Sequence, residues 1–371
     1  MKIVLSFIKK EPVFIIAALL ACISTLIIRP GVGVKDGIDV RTLVLLFALM
    51  SVVSGLQRQY VFEKIGNGLI SKISGTKTLY LILVLICFVS SMLLTNDVAL
   101  ITFVPFSIMI LPKVGQKDKL PLIIVLQTLA ANLGSVLTPL GNPQNLYLYN
   151  ISGMSAAEFV LFMLPMWLVS LVLVVLPVLF GKNESILSTE GHSLPEGSKS
   201  KKTVYIILFM LSLLTVLKIL DYRILLVIVL TVILIVDRKS LLKIDYILLL
   251  TFVGFFIFIY NIRQVPEIVN WISGIVTGRE FVIGILSSQV ISNVPAAILL
   301  SGFTDNLKTL LLAVDVGGLG TIIASMASLI SYKMYSTSEG SSGSKYMLLF
   351  TIYNVIYLVI MFLFCRLVYG V

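Results

Sequence analysis

Two polar motifs recur inside apolar parts of this sequence, where hydrogen-bonding side chains are costly. The motifs are Thr95-Asn96-Asp97 and Ser292-Asn293-Val294. Hydroxyl and amide oxygens of these types cap the first turn of a helix, and they also coordinate small hard cations such as Na⁺. Matching polar interruptions in the two halves of an apolar chain indicate a transporter binding site.

A second pair of polar segments follows the first, and a constant offset of 183 aligns its members. The aligned pairs are Asn132 with Asp315, Gly134 with Gly317, and Thr138 with Thr321. Two prolines, Pro139 and Pro143, flank Gly141 in the first segment, and Gly317, Gly318 and Gly320 loosen the second. Because proline removes a helical donor and glycine tolerates unusual backbone angles, each segment predicts a helix that breaks midway. The carbonyls freed at the break would complete a cation site.

Asp97 and Asp315 are the only acids well inside these apolar stretches. A carboxylate within a membrane indicates function, because its burial is expensive. Each either binds Na⁺ directly or carries a proton, and the sequence leaves both roles open. Capping of a helix by Asp97 beside Asn96 is the structural alternative.

These patterns predict two overlapping sets of site residues. We predict substrate contacts from Asn96, Asn142, Asn145, Asn293 and Ser325. We predict cation contacts from Thr95, Asn96, Asp97, Gly134, Thr138, Ser292, Asn293, Asp315 and Gly317. No basic residue lies in the four motifs, so an anion would be held by the positive ends of helices. Simple capping by the polar residues and close helix packing at the glycines stay open, although recurrence in both halves favours function.

The composition restricts the class of protein. Of the 371 residues 58% are hydrophobic and only 12% are charged, which predicts a membrane protein with many spans. The net charge of +10 comes from short loops without a basic and aromatic face, so no nucleic acid partner is expected. Three cysteines without CxxC spacing imply neither a disulfide framework nor a metal site. The sequence has no HExxH, GxSxG or nucleotide-binding motif, and its one histidine, His192, lies in a polar stretch, so we expect neither an enzyme nor a cofactor beyond the coupling ion.

Apolar runs near the ~20 residues that a bilayer requires predict the spanning segments. Nine crossings are expected at 12–29, 40–56, 120–149, 156–180, 203–220, 223–237, 244–262, 308–335 and 345–369. Regions 78–112 and 279–303 instead have two arms that meet at an asparagine motif, and the arms Val98 to Leu111 and Pro295 to Phe303 are short for a crossing. We therefore predict an all-α polytopic protein with two re-entrant hairpins, and with broken helices at 120–149 and 308–335.

The predicted chain has two halves of inverted topology, residues 1–180 and 203–371, joined by a polar cytoplasmic linker at 181–202. Interfacial amphipathic helices are expected at 57–76 and 264–278. Hairpins that return to their own side leave nineteen basic residues inside and nine outside. The positive-inside rule then places the N-terminus in the cytoplasm, with an uncleaved first helix in the cytoplasmic (inner) membrane.

The motifs resemble those of the ion transporter superfamily, which includes divalent anion:sodium symporters, citrate permeases, arsenite pump membrane subunits and a group of sodium/proton antiporters. Ser292-Asn293-Val294 is similar to the Ser-Asn-Thr hairpin signature of the symporters, and Thr138 to Asn145 is similar to their Thr-Pro-x-Gly-Thr-x-x-Asn segment. Thr95-Asn96-Asp97 resembles the Ala-Asn-Asp hairpin of arsenite pumps. The resemblance implies two inverted repeats, often dimeric, with substrate and cations between two hairpin tips and two broken helices.

The expected function is secondary transport of a small anion, such as a di- or tricarboxylate, coupled to Na⁺ or H⁺. Efflux of arsenite or another uncharged oxyacid, and Na⁺/H⁺ exchange through Asp97 and Asp315, are the alternatives within transport. An ion channel is the alternative from another class.

Overall fold

The computed structural model describes residues 11–28, 34–70, 73, 75–185 and 195–371. The N-terminal lysines, most of the central part of the predicted linker and His192 lie outside these ranges. Within them the chain forms α-helices and short 3₁₀ turns and no β-strand, which confirms the all-α class. All nine predicted crossings fall on helical segments.

Seventeen α-helices follow one another in the described part of the chain. They are α1 (Pro12–Ile28), α2 (Val40–Arg58), α3 (Val61–Ile70), α4 (Thr76–Leu94), α5 (Asn96–Lys113), α6 (Leu120–Gly134), α7 (Pro143–Ser152), α8 (Ala156–Leu179), α9 (Lys199–Val216), α10 (Tyr222–Val236), α11 (Tyr246–Ile262), α12 (Pro266–Val276), α13 (Glu280–Ile291), α14 (Asn293–Ser301), α15 (Leu307–Gly317), α16 (Met326–Ser336) and α17 (Gly343–Tyr369).

Six segments of the described chain are long and apolar enough to cross a membrane, namely α2, α4, α5, α6 with its flanking turns, α8 and α17. A bent pair, α11 and α12, makes a seventh candidate. The axis turns by 111° between α11 and α12, so α12 runs nearly across α11 and fits the predicted interfacial helix at 264–278. The helices α1, α10 and α13 are apolar but shorter.

The outer surface of this bundle is apolar, as contact with lipid chains requires. Leu161 and Val172 on α8 are 68% and 59% exposed, and Ile235 on α10 and Leu367 on α17 are 80% and 86% exposed. Water would not tolerate so much contiguous apolar area on a monomer, whereas a bilayer does. The exposure pattern agrees with a protein of many spans.

The first hairpin consists of α4 and α5, which meet at Thr95 with a positive φ of 74°. Our prediction that its second arm is short, Val98 to Leu111, is wrong. The helix begins at Asn96 and runs through Pro105 and Pro112 to Lys113, because a single proline costs one backbone bond and need not end a helix. At 18 residues α5 is roughly 27 Å long, which suffices for a crossing.

The second hairpin consists of α13 and α14, which meet at Ser292, again with a φ of 74°. Its second arm has nine residues and is therefore roughly 14 Å long, less than half the thickness of a bilayer core. Positive φ at a residue with a β-carbon is strained, and both tips adopt it at the residue before the asparagine. The side from which each hairpin enters the membrane stays a prediction.

Both predicted helix breaks are present. Helix α6 ends at Gly134, a 3₁₀ turn covers Ser135–Leu137, and α7 starts again at Pro143. The second break separates α15, which ends at Gly317, from α16, which starts at Met326. The ten residues of α7 add roughly 15 Å beyond the first break, so that break lies inside the bundle.

Packing between the elements is reciprocal. Within each half, the first arm of the hairpin packs on the first piece of the broken helix, α4 on α6 and α13 on α15. Between the halves, the second arm packs on the second piece of the other broken helix, α5 on α16 and α14 on α7. This is the packing that the predicted repeat leads us to expect, and it brings each hairpin against both broken helices.

Candidate functional site

Each hairpin tip is bonded to the break in the broken helix of its own half. The backbone N–H of Asn96 donates to the carbonyl oxygen of Gly141 at 3.0 Å, and that of Asn293 donates to Ala324 at 2.9 Å. The two acceptors, Gly141 and Ala324, are related by the offset of 183 found in the sequence. The tips are therefore fixed on the breaks in equivalent ways.

A second pair of bonds repeats the same relation. The hydroxyl of Thr138 donates to the carbonyl oxygen of Met92, and that of Thr321 donates to Gln289 at 3.0 Å. Thr138 therefore ties the break to the hairpin arm through its hydroxyl. Its predicted role as a cation ligand stays a prediction.

Gly134 and Gly317 lie where a broken helix packs directly against a hairpin arm. A β-carbon at Gly134 would lie 2.7 Å from Ser91 Oγ, and one at Gly317 would lie 2.6 Å from Ser288 Oγ. The structure thus gives these two glycines the packing role that the sequence left open. Cation contact through their carbonyls stays a prediction.

We expect Gly134→Ala to destabilise the protein, because its β-carbon would also overlap the carbonyl oxygen of Phe88, which belongs to rigid helical backbone. Overpacking of this kind costs about 1–3 kcal/mol. Gly274→Ala on α12 is the matched control, since a β-carbon there meets nothing within 4 Å. Thermal unfolding in detergent should show a lower Tm for Gly134→Ala alone, and equal Tm values would contradict the packing role.

Asn132, at the end of α6, connects three elements. Its Oδ1 accepts from Asn96 Nδ2 at 3.0 Å and from Ser325 Oγ at 3.0 Å, and its Nδ2 donates to Ser328 Oγ at 3.4 Å. The first hairpin and the start of α16 therefore meet at this one amide. Asn132 was not among the predicted site residues, although an amide in the apolar sequence of α6 is a signal that could have identified it.

Asp315, the counterpart of Asn132 at the end of α15, is 4% exposed and accepts from the start of α7. Gln144 Nε2 donates to its Oδ1 at 3.2 Å and Asn142 Nδ2 at 3.5 Å. With its amide oriented to satisfy both neighbours, Asn145 donates to the two carboxylate oxygens at 2.9 and 3.0 Å. Gln144 is a second contributor that the sequence reasoning missed.

The two clusters are reciprocal copies of each other. Ser325 and Ser328, the partners of Asn132 on α16, correspond at the offset of 183 to Asn142 and Asn145, the partners of Asp315. The first piece of each broken helix thus carries, near its end, a polar residue that is hydrogen-bonded to the start of the second piece of the other broken helix. The structure brings four of the five predicted substrate residues to these clusters, Asn96 and Ser325 at Asn132, and Asn142 and Asn145 at Asp315.

Asn293, the fifth predicted substrate residue, lies apart from both clusters. Its side-chain oxygen accepts a long bond of 3.5 Å from Ser292 Oγ, and its amide nitrogen lies beside Gly318 at the second break. Neither Asn96 nor Asn293 lines the cavities beside the tips. Their side chains face the broken helices instead.

Two cavities adjoin the hairpin tips. One of about 160 Å³ lies beside the first tip, and its lining includes Thr95, Asp97, Asn142, Lys243 and Asp245. The other, of about 150 Å³, lies beside the second tip, and its lining includes Ser292, Ser325 and Asp245. Asp245 lines both, because it caps the start of α11 between them and accepts from the Leu248 N–H at 2.9 Å. Each volume exceeds the space of one water molecule several-fold.

The charged side chains of the first cavity are largely without ion pairs. Asp97 Oδ1 is buried and has no hydrogen-bond partner in the described ranges. The ion pairs in the described part of the chain are Arg58 with Asp237 and Lys64 with Glu196, so neither Asp97 nor Asp315 belongs to one. Lys243 lines the same cavity from outside the four motifs, which sequence reasoning did not anticipate. The described side chains include no cluster of three or more His, Cys, Asp or Glu residues suited to a metal.

Comparison with known proteins agrees with this architecture. The citrate transporter family matches residues 3–309, a range that contains both hairpins and the first broken helix. The chain is 32% identical over 301 residues to an uncharacterized transporter, MJ0456, of Methanocaldococcus jannaschii, covering 80% of this chain and 81% of the relative. It is 31% identical over 303 residues to the inner membrane protein YbiR of Escherichia coli, covering 80% of each. The silicon efflux transporter LSI3 of Oryza sativa is 34% identical over 128 residues, which cover 34% of this chain and 26% of the relative. The chain therefore belongs to the citrate transporter family and is a polytopic membrane transporter.

Proposed function

We propose that this transporter is a secondary active carrier that moves a small anion, of the di- or tricarboxylate type, together with Na⁺ or H⁺. The observation that carries the proposal is a pair of acids inside the bundle, Asp97, whose Oδ1 is buried at the first tip, and Asp315, which is 4% exposed at the end of α15. Neither forms an ion pair with a basic side chain in the described part of the chain. A carboxylate kept from water without a basic partner is costly, so we propose that a proton or a metal cation accompanies these acids.

The same acids give a reason for coupling. An anion in the first cavity lies near Asp97 and Asp245, with Lys243 as the only basic side chain among the lining residues. Two like charges 4 Å apart repel by roughly 4 kcal/mol at an effective dielectric of 20. Since 1.4 kcal/mol is a factor of ten in affinity, the anion binds poorly until a cation has neutralised an acid. Binding of the cation first would then link the two fluxes.

The anion itself would be held by helix ends. Asn142 and Ser325 occupy the N-cap positions of α7 and α16, and each lines one of the two cavities. Backbone N–H groups at such ends carry partial positive charge and bind carboxylate oxygens. Lys243 would add a full charge at the first cavity. We also propose that the protein lies in the inner membrane with its N-terminus in the cytoplasm. We propose further that it forms a homodimer, as transporters of this type often do.

Uptake by proteoliposomes tests this proposal. We expect labelled citrate or succinate to accumulate when an inward Na⁺ gradient or an inward proton gradient is imposed, and to leak out after the gradient is collapsed by an ionophore. Liposomes that contain Asp118→Asn, a substitution at an exposed residue of a 3₁₀ turn, should behave like wild type. Absence of accumulation under both gradients would contradict the proposal.

Efflux of a small uncharged oxyacid is the second candidate. The carboxylates of Asp97 and Asp245 in one cavity disfavour an anion more than a neutral molecule, and the rice relative is named a silicon efflux transporter. The same liposomes, loaded with silicic acid or arsenite, distinguish the two candidates. Cation-driven release of either oxyacid without citrate or succinate uptake would replace the first proposal by the second.

A further inference from the structure

We infer that the carrier binds a single Na⁺, at the first hairpin tip, and that the side-chain amide of Gln289 occupies the corresponding position in the second half. This inference rests on the proposed cation-coupled function and narrows it to one ion and one place. It follows from two residue differences between the halves, at Gln289 and at Asp97.

Gln289 closes the second helix break from the hairpin arm. Its Nε2 donates to the carbonyl oxygens of Gly317 and Leu319, both at 2.9 Å, and its Oε1 accepts from the Thr321 N–H at 2.9 Å. These carbonyls belong to the segment where the helix has ended, and they are the oxygens that a cation would use there. A cation at this position would have to displace an amide that already donates to both.

The first half has no such amide. An offset of 197 relates the two hairpin tips and places Met92 opposite Gln289. The equivalence holds in space, because the threonine at each break, Thr138 or Thr321, donates its hydroxyl to the carbonyl oxygen of this same arm residue. A thioether has no N–H to donate, so the Met92 side chain cannot serve the first break as Gln289 serves the second.

The second difference is a group that the first half has and the second half lacks. The same offset of 197 places Val294 opposite Asp97, so the carboxylate is present where the amide donor is missing. Asp97 lines the first cavity together with Thr95, and its Oδ1 has no hydrogen-bond partner in the described part of the chain. An oxygen in this state is a ready ligand for a hard cation. The second tip has a valine at this position, and the Gln289 amide occupies its break.

Other charged side chains line the cavity around Asp97. Asp245 lines the cavity from α11 and Lys243 from the preceding turn. Asn142 connects the cavity to Asp315, since it lines the cavity and donates to that carboxyl group. Asp97 of α5, Asp245 at the start of α11 and, through Asn142, Asp315 of α15 bring three acids to this region, and Lys243 of the preceding turn brings one base. Acids also line the second cavity, Glu11 and Asp245, so the two tips differ in the position of Asp97 and in Gln289 rather than in net charge.

Exchange of the two arm residues tests the inference. We expect the wild type to show a Na⁺ dependence of uptake with a Hill coefficient near 1. In Met92→Gln the new amide should compete for the first site, raising the Na⁺ concentration for half-maximal uptake at least about tenfold, which corresponds to one lost interaction. In Gln289→Met the second break becomes open to a cation, so the Na⁺ dependence should become steeper. Gln264→Met, at an exposed position, is the matched control.

Thermal unfolding keeps the test independent of transport. A ligand that binds only the folded state raises the Tm, and the number of bound ions sets how steeply the Tm rises with Na⁺ concentration. Na⁺, with choline as the inert cation, should stabilise wild type and Gln264→Met equally, Met92→Gln less, and Gln289→Met more steeply. A low Tm in the absence of Na⁺ would identify a variant that fails to fold. The other of the two exchanges would then still test the inference.

Three results would overturn the inference. A Hill coefficient near 2 in the wild type, unchanged in Gln289→Met, would mean that the second half binds a cation despite the amide. Equal Na⁺ affinity in Met92→Gln and wild type would remove the first site. Uptake driven by protons alone would also contradict it, while leaving the proposed coupled function intact. If the wild type showed no gradient-driven uptake at all, this inference and the proposed function would both be rejected.

Discussion

Asp315→Ala is expected to lower the Tm substantially and to abolish gradient-driven uptake. The carboxyl group accepts amide N–H groups from Asn142, Gln144 and Asn145, and its removal would leave buried donors without a partner. Each buried donor left in this state costs about 1–3 kcal/mol. The start of α7 would lose its attachment to α15, and with it the position of one cavity wall.

The identity of the partners explains why this residue is an acid while its counterpart Asn132 is neutral. Ser325 and Ser328 carry hydroxyls, which can donate or accept, so an amide can satisfy them. The partners of Asp315 all donate through amide nitrogens, and only a group with two acceptor oxygens can receive them together. Asp315→Asn would place an NH₂ group against other donors and should destabilise the protein as well.

Conversion of the second cluster to the chemistry of the first should therefore rescue folding. The variant with Asp315→Asn, Asn142→Ser and Asn145→Ser reproduces the amide and hydroxyls around Asn132. We expect its Tm to recover most of the loss caused by Asp315→Asn alone, whereas uptake should stay at least about tenfold below wild type because the carboxyl charge is gone. A triple variant no more stable than the single one would contradict the reciprocal arrangement.

The positions of the breaks and tips could be predicted from local chemistry. Proline and glycine act within a few residues, so Pro143 and Gly317 indicated the edges of the two helix breaks without knowledge of the tertiary structure. The recurrence of the motifs, at an offset of 183 for the breaks and 197 for the tips, likewise depends only on the order of residues. The tips at Thr95 and Ser292 fall where the asparagine motifs indicated them.

The partners within the site could not be predicted in the same way. Asn132 and Ser325 are 193 residues apart, and their bond depends on how two broken helices pack. Lys243 and Asp245 reach the cavities because a 3₁₀ turn and the start of α11 lie beside them, and both residues read in sequence as an ordinary loop and helix cap. The predicted length of the second arm of the first hairpin was wrong for a related reason, since hydrophobicity does not show where the backbone hydrogen bonds of a helix end. Pairing across the fold decides all of these features.

Asp97→Asn is the variant that we expect to separate ion coupling from folding most cleanly. The substitution keeps the shape of the side chain and removes its negative charge. Asp97 Oδ1 has no hydrogen-bond partner in the described chain, so the change should leave the Tm in Na⁺-free buffer close to that of wild type. Asp305→Asn, at an exposed loop residue, is the matched control for loss of an acid.

The expected effect on Na⁺ is large, because a carboxylate that coordinates a cation in a low-dielectric site contributes more than a neutral amide in the same place. We expect the Na⁺ affinity and the Na⁺-driven uptake of Asp97→Asn to fall at least about a hundredfold, equivalent to roughly 2.8 kcal/mol. The Na⁺-dependent rise in Tm should disappear with them, while Asp305→Asn keeps both. If Asp97→Asn instead retained Na⁺ binding but lost stability, Asp97 would be a helix-capping residue, and Asp315 would be left as the acid that carries the coupling ion.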